Sequence, residues 1–483
     1  MIFLKSIWTY IVFINVIKSK TNNQSDESRL IQEQIINDYK NTKETIKTLN
    51  KIENKIFQET NSNSLLIAEN TIVQNNKKND TTFEFEDAME NSELYEGDIM
   101  LTSSQSKHII DVAESIAAKK NVDVSKIIKH DNNRNKRKIT TLRRHKWTFP
   151  IKYYVDDFVS ESLVDKGIKI IEEETCVKFT KSNGPIHGEP GLIYYYGKGC
   201  WSYVGKENDY HFQSISIGRG CQNVGVIQHE TLHALGLNHE HDRVDRDSYI
   251  KIFMENVDYY EKYNFFKISP QDTSTYGIPY DYGSIMHYDT YAFSKNKQKT
   301  MVPIILIYEK TIGTIEKMSF DDIKMVNLHY CTGECYNSLT CYNGGYQDPK
   351  NCQKCRCVDG FAGKQCDEIP SHNSECPSTC YNVSPKQESI EISGMKNCII
   401  HLRANKGEKI NLIIEKAYFD YKKNVCISKN SLEIKYFEDK TTTGARFCGY
   451  DTNIQIISKN HHIVVMYSSI GINNNIKITF KKY

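Results

Sequence analysis

The stretch His229-Glu-Thr-Leu-His233-Ala-Leu-Gly236-Leu-Asn-His239-Glu240 holds the residues best suited to chemistry. His229 and His233 are four apart, so a helix sets both imidazoles on one face, one turn apart. Two imidazoles so placed can bind one metal ion together. Gly236 can take the positive φ that ends a helix. The chain can then turn back and supply His239 as a third nitrogen ligand from a loop. Three neutral nitrogens leave the fourth position of a tetrahedral Zn²⁺ for water, the arrangement of a catalytic zinc. Bound zinc lowers that water's pKa to about 7. Glu230 lies beside the first ligand and can take the proton as the water attacks a peptide carbonyl. A bare His-Glu-x-x-His also occurs by chance on exposed helices. Gly236 and His239 at their offsets are what make the metal reading specific.

Downstream stands Tyr282-Gly-Ser284-Ile-Met286-His287-Tyr288. A methionine alone is usually core filler, but a Met-turn after the extended histidine motif is the metzincin pattern. His239-Glu240-His241-Asp-Arg243-Val-Asp-Arg246-Asp247, taken with Ser284-Ile-Met286-His287-Tyr288, resembles the astacin family of zinc endopeptidases. The resemblance implies an α+β metzincin catalytic domain, a twisted mixed sheet plus a zinc helix. It implies one zinc per catalytic domain, bound by His229, His233 and His239, with Glu230 as general base. Tyr288 would rest near the metal and swing to stabilise the oxyanion. Met286 would form a hydrophobic floor under the zinc, and Glu240 would help anchor the N-terminus made by activation. Two departures from the family pattern bear on substrate preference: Asp289 stands where the family usually has Gly, and Ile312-Gly313-Thr-Ile-Glu316 lacks its Gln-Arg pair.

The elements around these motifs read from pattern. Trp147-Thr-Phe-Pro150-Ile-Lys-Tyr-Tyr-Val155 reads as strand, and Val164 to Glu174 as an amphipathic helix. Leu192–Tyr196 and Ile215–Ile217 read as further strands, and the zinc helix begins near Val224. In this fold class a sheet edge above the cleft can take up an extended substrate by main-chain hydrogen bonds.

At 483 residues the chain has room for two to four domains. Its net charge of +2 gives no bulk attraction to nucleic acid. All 15 cysteines lie between Cys176 and Cys448, a cysteine-free front and a cysteine-rich back. That density points to disulfides and an oxidising, extracellular compartment. Residues 1–20 open on Met1-Ile-Phe-Leu-Lys5 and carry an apolar run too short to span a membrane, which fits a signal peptide. No other stretch is long and apolar enough to cross a bilayer. Asn23, Asn79 and Asn382 stand in glycosylation acceptor triplets.

Residues 21–137 read as a pro-segment, mostly helical or disordered. Leu30, Ile31, Ile35, Ile36 and Tyr39 recur at roughly helical spacing. Arg134-Asn-Lys136-Arg137 resembles a convertase site, so activation would cleave between Arg137 and Lys138; Arg143-Arg144 competes with it. Tyr95-Glu-Gly97-Asp98-Ile-Met-Leu-Thr102 resembles the astacin pro-segment motif, with Tyr95 where the family usually has Phe. By that resemblance Asp98 ligates the zinc in the latent form only and displaces the catalytic water; a carboxylate oxygen is a competent zinc ligand.

The astacin resemblance covers 138–332 and pairs Cys176 with Cys331 and Cys200 with Cys221. Residues 333–367 resemble a small, disulfide-rich EGF-like module, which implies Cys335–Cys352, Cys341–Cys355 and Cys357–Cys366. Cys352-x-x-Cys355 as a zinc site is the weaker reading in an oxidising compartment. Residues 376–483 alternate strand-like runs with turns, at Cys398–Leu402, Ile410–Ile414, Ser431–Tyr436, Ile454–Ile457 and His462–Tyr467, which argues an all-β sandwich. Their cysteines and Gly444-Ala-Arg-Phe-Cys448-Gly449 resemble a CUB domain. That resemblance pairs Cys426 with Cys448, and Cys398 with either Cys376 or Cys380, leaving one cysteine over. The acidic residue of calcium-binding CUB domains is missing after Cys426, which argues against calcium there.

Together these features resemble the nematode-type astacins with an EGF–CUB tail. The expected protein is a secreted, zinc-dependent endopeptidase made as a zymogen. It would be activated by a convertase-type protease and would act on matrix, cuticle or egg-envelope proteins, with the CUB part open to a protein partner. Selective processing of a precursor is the alternative within the enzyme class. An inactive secreted binding protein is the alternative outside it.

Overall fold

The computed structural model describes residues 26–60, 86–128, 146–268, 273–421 and 424–483. The front of the chain forms two long helices, α1 (Asp26–Thr60) and α2 (Ser103–Lys119). α2 starts on a capping box: Thr102 accepts from the Gln105 N–H, and the Gln105 side chain returns the bond. Ile46, Leu49, Ile52 and Ile56 recur on one stripe of α1 and pack with Ala113 and Ala117 of α2. Tyr95, Ile99 and Leu101 join the same core, and so does Tyr263 from much later in the chain. The front segment therefore lies against the body of the molecule.

That body is built on a sheet of β1 (Ile151–Val155), β2 (Phe179–Lys181), β3 (Gly191–Tyr195), β4 (Cys200–Trp201) and β5 (Gln213–Ile217), in the order β2-β1-β3-β5-β4. β4 alone runs antiparallel and lies at the edge. β5 is buried along its whole length, as a strand covered on both faces must be. α3 (Glu161–Glu174) turns Val164, Ile168 and Ile171 inward, at helical spacing, into one core with Val226 and Ile227 of α4 (Val224–Ala234). α4 starts where the Asn223 side chain accepts from the Val226 N–H. The strand expected from Trp147 begins only at Ile151. Pro150 has no N–H to give a ladder, and Trp147 instead donates Nε1–H to the Ala234 carbonyl at 2.7 Å, tying the chain to the end of α4. α5 (Phe320–Tyr330) begins on a capping box of Ser319 and Asp322, and Cys331 just after it is bonded to Cys176. A short ribbon, β6 (Ile250–Ile252) with β7 (Met301–Pro303), lies between α4 and α5 in the chain.

The tail has two parts. A ribbon of β8 (Tyr346–Gln347) and β9 (Cys355–Arg356) is held by Cys335–Cys352, Cys341–Cys355 and Cys357–Cys366. Beyond it lie two facing sheets. One has β10 (Cys380–Asn382), β12 (Asn397–Arg403), β18 (His462–Ser468), β14 (Ser431–Lys435) and β15 (Ala445–Phe447). The other has β11 (Glu388–Ser393), β19 (Asn475–Lys482), β13 (Ile410–Phe419) and β16 (Gly449–Asp451), with β17 (Ile454–Ile457) also on β13. The strands named from sequence are present, and β10, β11, β15, β16 and β19 are additional. β11 and β19 alternate isoleucines, which face inward, with charged residues; Glu391 and Lys477 pair across the two strands at 3.2 Å. Cys376 is the partner of Cys398, Cys426 pairs with Cys448, and Cys380 is free. Tyr280, Tyr282, Tyr308 and Ile312 share one core with the sandwich, and Tyr308 stacks on Phe437 with centroids 5.8 Å apart.

Candidate metal centre

α4 is buried from Gly225 to Ala234, so its histidines face protein on every side. The His229 and His233 ring centroids are 4.7 Å apart. Gly236, at φ +101°, reverses the chain where any side chain would be strained. His239 thereby returns to 4.7 Å from the His233 ring and 5.5 Å from the His229 ring.

Each imidazole has one nitrogen committed elsewhere. His229 Nδ1 lies 2.8 Å from the Ile285 carbonyl oxygen, and His233 Nδ1 lies 2.8 Å from that of Leu237. A carbonyl only accepts, so both Nδ1 atoms carry the proton and each neutral ring keeps its lone pair on Nε2. His239 Nδ1 donates to Glu96 Oε2 at 2.9 Å. The three Nε2 atoms converge on Asp98. Its Oδ2 is 3.2 Å from His229 and 3.2 Å from His239, and its Oδ1 is 3.7 Å from His233. Lone pairs of imidazole and carboxylate facing one another repel unless a cation lies among them.

This donor set fits zinc. The four ligand atoms lie within 4.8 Å of one another. Ligands roughly 2.0–2.1 Å from a tetrahedral ion stand about 3.3 Å apart. His233 Nε2 and Asp98 Oδ1 are buried and neither makes a protein hydrogen bond, as expected of ligand atoms. Burial pushes His233 down to about 4, whereas at His239 burial is outweighed by the Asp98 and Glu96 carboxylates, which hold the ring well above its usual range, so the site favours positive charge beside Asp98. The Glu230 carboxylate is buried, and neither oxygen has a protein partner. Burial first, and then the charge of Asp98, holds it well above the usual carboxylate range.

The Met-turn supports this centre from one side. Asp322 accepts from Ser284 Oγ at 2.6 Å and from the Ile285 N–H at 3.0 Å. The Ile285 carbonyl thus faces His229 from a fixed turn. Met286 is buried in the core that carries α4, and its carbonyl accepts from the Glu240 N–H at 2.9 Å. Glu240 Oε1 accepts from Arg243 Nη1 at 3.1 Å and from the Asp281 N–H at 2.9 Å, and burial pushes it up to about 8.

The front segment enters from the other side. Ser202 N–H donates to the Asp98 carbonyl, and Met100 N–H to the Ser202 carbonyl, both at 3.0 Å. The segment thus adds to the chain just beyond edge strand β4, the mode by which sheet edges take up peptides. Glu96 sits at φ +51°, a costly conformation for a residue with a side chain. Its N–H donates to Asn264 Oδ1 at 2.8 Å, and its carbonyl accepts from Tyr288 Oη at 2.5 Å. Tyr288 lies with its ring 4.8 Å from that of His239.

The structure therefore brings together Asp98, His229, Glu230, His233, His239 and Tyr288, with Glu240 and Met286 beside them. Sequence reasoning passed over Glu96, Asn264, Asp281 and Asp322. One signal was available: a zinc-binding histidine needs a partner for its second nitrogen, and Glu96 stands two residues from Asp98. Cys176–Cys331 and Cys200–Cys221 are bonded. Asn382 is exposed at the end of β10. Asn23, Asn79, Arg137, Lys138 and the signal stretch lie outside the described residues.

Residues 139–331 match the peptidase family described as Astacin, and residues 382–480 match the CUB domain. The chain is 34% identical over 401 residues to zinc metalloproteinase nas-34 of Caenorhabditis elegans, covering 81% of this chain and 65% of that protein. It is 33% identical over 415 residues to zinc metalloproteinase nas-36 of Brugia malayi, covering 80% of this chain and 70% of that one. A solved structure of high choriolytic enzyme 1, a hatching enzyme zinc-protease from Oryzias latipes, is 35% identical. That match covers 38% of this chain and 89% of the enzyme, with a TM-score of 0.34. A three-histidine centre beneath a mixed sheet, closed by a Met-turn, defines a zinc-peptidase fold. The chain belongs to the astacin family of peptidases and carries a CUB domain behind the astacin part. It spans 65% of the length of nas-34 and 47% of that of nas-37, also of Caenorhabditis elegans.

Proposed function

We propose that this chain is a secreted zinc endopeptidase made as a latent precursor. The observation that carries the reading is the Asp98 carboxylate seated against three imidazole nitrogens, next to a buried Glu230 with no protein partner. In this reading residues 1–20 are a signal peptide and 21–137 a pro-segment, and a convertase-type protease cleaves between Arg137 and Lys138. Residues 138–332 are the protease, 333–367 an EGF-like module and 376–483 the CUB domain. Glu240 would help anchor the new N-terminus, and Asn23, Asn79 and Asn382 would be glycosylated. Among the described residues no helix is long and apolar enough to cross a membrane.

His229, His233 and His239 would hold the zinc over Met286, and Asp98 would hold it too until the pro-segment leaves. When bound, zinc supplies a Lewis acid that polarises a peptide carbonyl and brings a bound water's pKa to about 7. Glu230 takes the proton from the attacking water and delivers it to the leaving amine nitrogen. Tyr288 Oη, released from the Glu96 carbonyl, donates to the carbonyl oxygen as that atom gains negative charge. The edge beyond β4, freed of residues 98–100, is open to an extended substrate. The substrates are extracellular proteins of the matrix, cuticle or egg-envelope type. Cleavage at one favoured site in a single precursor, with matrix proteins untouched, would replace that reading with selective processing.

The test is a paired assay. The chain from residue 21 is secreted, cleaved at Arg137, and measured for zinc content and casein hydrolysis as wild type and Glu230→Ala. One zinc per chain in both, with hydrolysis only in the wild type, is the expected result. A correctly cleaved wild type that holds zinc and hydrolyses nothing contradicts it.

A further inference from the structure

The CUB sandwich does not merely follow the protease in sequence; one of its loops touches the turn that orients a zinc ligand. That loop, residues 436–444, joins β14 to β15, and Lys440–Gly444 within it are buried. Thr443 is the point of contact. Its N–H donates to Asp281 Oδ1 at 2.9 Å, and its Oγ1 donates to Asp281 Oδ2 at 3.2 Å. Asp281 Oδ1 also accepts from the Gly283 N–H at 3.0 Å. The approach is so close that a Cβ on Gly283 would meet the Thr443 side chain at 2.4 Å. From there the route to the metal centre is short. The Asp281 carbonyl accepts from the Ser284 N–H at 3.1 Å. The next residue's carbonyl, that of Ile285, accepts from His229 Nδ1.

The sandwich holds this loop with groups that are costly to bury. Lys435, on β14, is 4% exposed, and its Nζ donates to the carbonyls of Lys440 at 2.9 Å and Thr442 at 3.0 Å. Glu433, also buried, accepts from the Gly444 N–H at 2.9 Å and from Arg446 Nε at 2.9 Å. A lysine and a glutamate inside a β-sandwich carry a large desolvation cost. Here their hydrogen bonds go largely to the loop backbone, so they fix the conformation that presents Thr443. Asp281 cannot relax toward water either, being 2% exposed.

We propose that the CUB domain is a structural support of the zinc site, with Thr443 and Asp281 as positioning residues. They hold the Met-turn so that the Ile285 carbonyl keeps the His229 ring aimed at the metal. The inference rests on the zinc-peptidase reading above. It predicts that metal retention depends on a residue of the tail that touches neither metal nor substrate.

The test is the rate at which a colorimetric chelator strips zinc from the full-length chain. Wild type, Thr443→Val, Thr443→Ser and Lys310→Gln are compared. Thr443→Val is expected to release zinc about tenfold faster, at the lower end of the effect of groups that orient metal ligands. Thr443→Ser keeps both hydrogen bonds and should restore the wild-type rate. Lys310 also bridges to the sandwich, donating to Asp451 Oδ1 at 2.8 Å and to the Cys448 carbonyl at 2.9 Å, with no bond to the Met-turn. Its loss should loosen the interface and leave zinc release unchanged. Lys435→Met, which frees the loop from within, is read in parallel and should speed release even where Thr443→Val folds poorly. Equal release from wild type and Thr443→Val, or equal acceleration by Lys310→Gln, overturns the inference. A wild type that holds no zinc overturns the metal reading itself, and the inference with it.

Discussion

The Met-turn and the front segment both reach the metal centre, and they hold it in opposite ways. The Met-turn gives one carbonyl to His229 and is itself pinned by Asp322 and Asp281, groups of the astacin part of the chain. The front segment gives the Asp98 carboxylate to the shared centre, the Glu96 carboxylate to His239 and the Glu96 carbonyl to Tyr288. Under the proposed activation, two of the three histidines therefore keep their orienting partners when the front segment leaves. His239 does not, and Tyr288 is freed at the same moment. A centre built this way has a permanent half and a removable half. Under the proposed activation, the removable half controls both the open coordination position and the oxyanion donor.

The largest expected effect comes from breaking the removable half at its centre. Asp98→Ala should give an uncleaved chain that already hydrolyses casein, whereas the wild type needs cleavage first. An uncleaved mutant as silent as the wild type would take the switch role from Asp98. Next comes the residue that the front segment holds and the reaction uses. Tyr288→Phe in the cleaved enzyme should lower kcat by about 10²–10³ with little change in KM, the size expected for losing one oxyanion donor. Steady-state kinetics on a quenched peptide would show it, and an unchanged kcat would exclude the role. The smallest effect separates the two halves most finely. Glu96→Ala removes the acceptor of the His239 Nδ1–H, and one buried hydrogen bond contributes about 1 kcal/mol net. Latency should weaken a few-fold in the uncleaved chain, read as residual peptide hydrolysis. The same substitution should leave the cleaved enzyme, which lacks residue 96, unchanged.

The permanent half was more legible in the sequence than the removable one. His229, His233, Gly236 and His239 lie within eleven residues, so helix periodicity and one glycine turn were enough to converge them. Asp98 was legible only through resemblance to a pro-segment motif, since nothing in local spacing ties it to histidines far along the chain. Glu96 was missed because its role is a contact across 143 residues. Asp281 and Thr443, 162 residues apart, were invisible for the same reason. In the tail, apolar runs marked β12, β13, β14, β17 and β18. β11 and β19 escaped because the positions between their inward isoleucines are Ser, Glu, Asn, Lys and Thr, which read as loop without a partner strand in view. The separation of Cys376 from Cys380 was likewise a matter of reach. Cys380 sits on edge strand β10, while Cys376 lies before it and bonds Cys398.

The central claim is that Asp98 occupies the metal in the uncleaved chain. The direct measurement is the visible spectrum of cobalt-substituted protein, which reports the ligand set at the site. The uncleaved wild type should differ from the cleaved enzyme, and uncleaved Asp98→Ala should move to the spectrum of the cleaved enzyme. Superposable spectra for the uncleaved wild type and uncleaved Asp98→Ala would contradict the account.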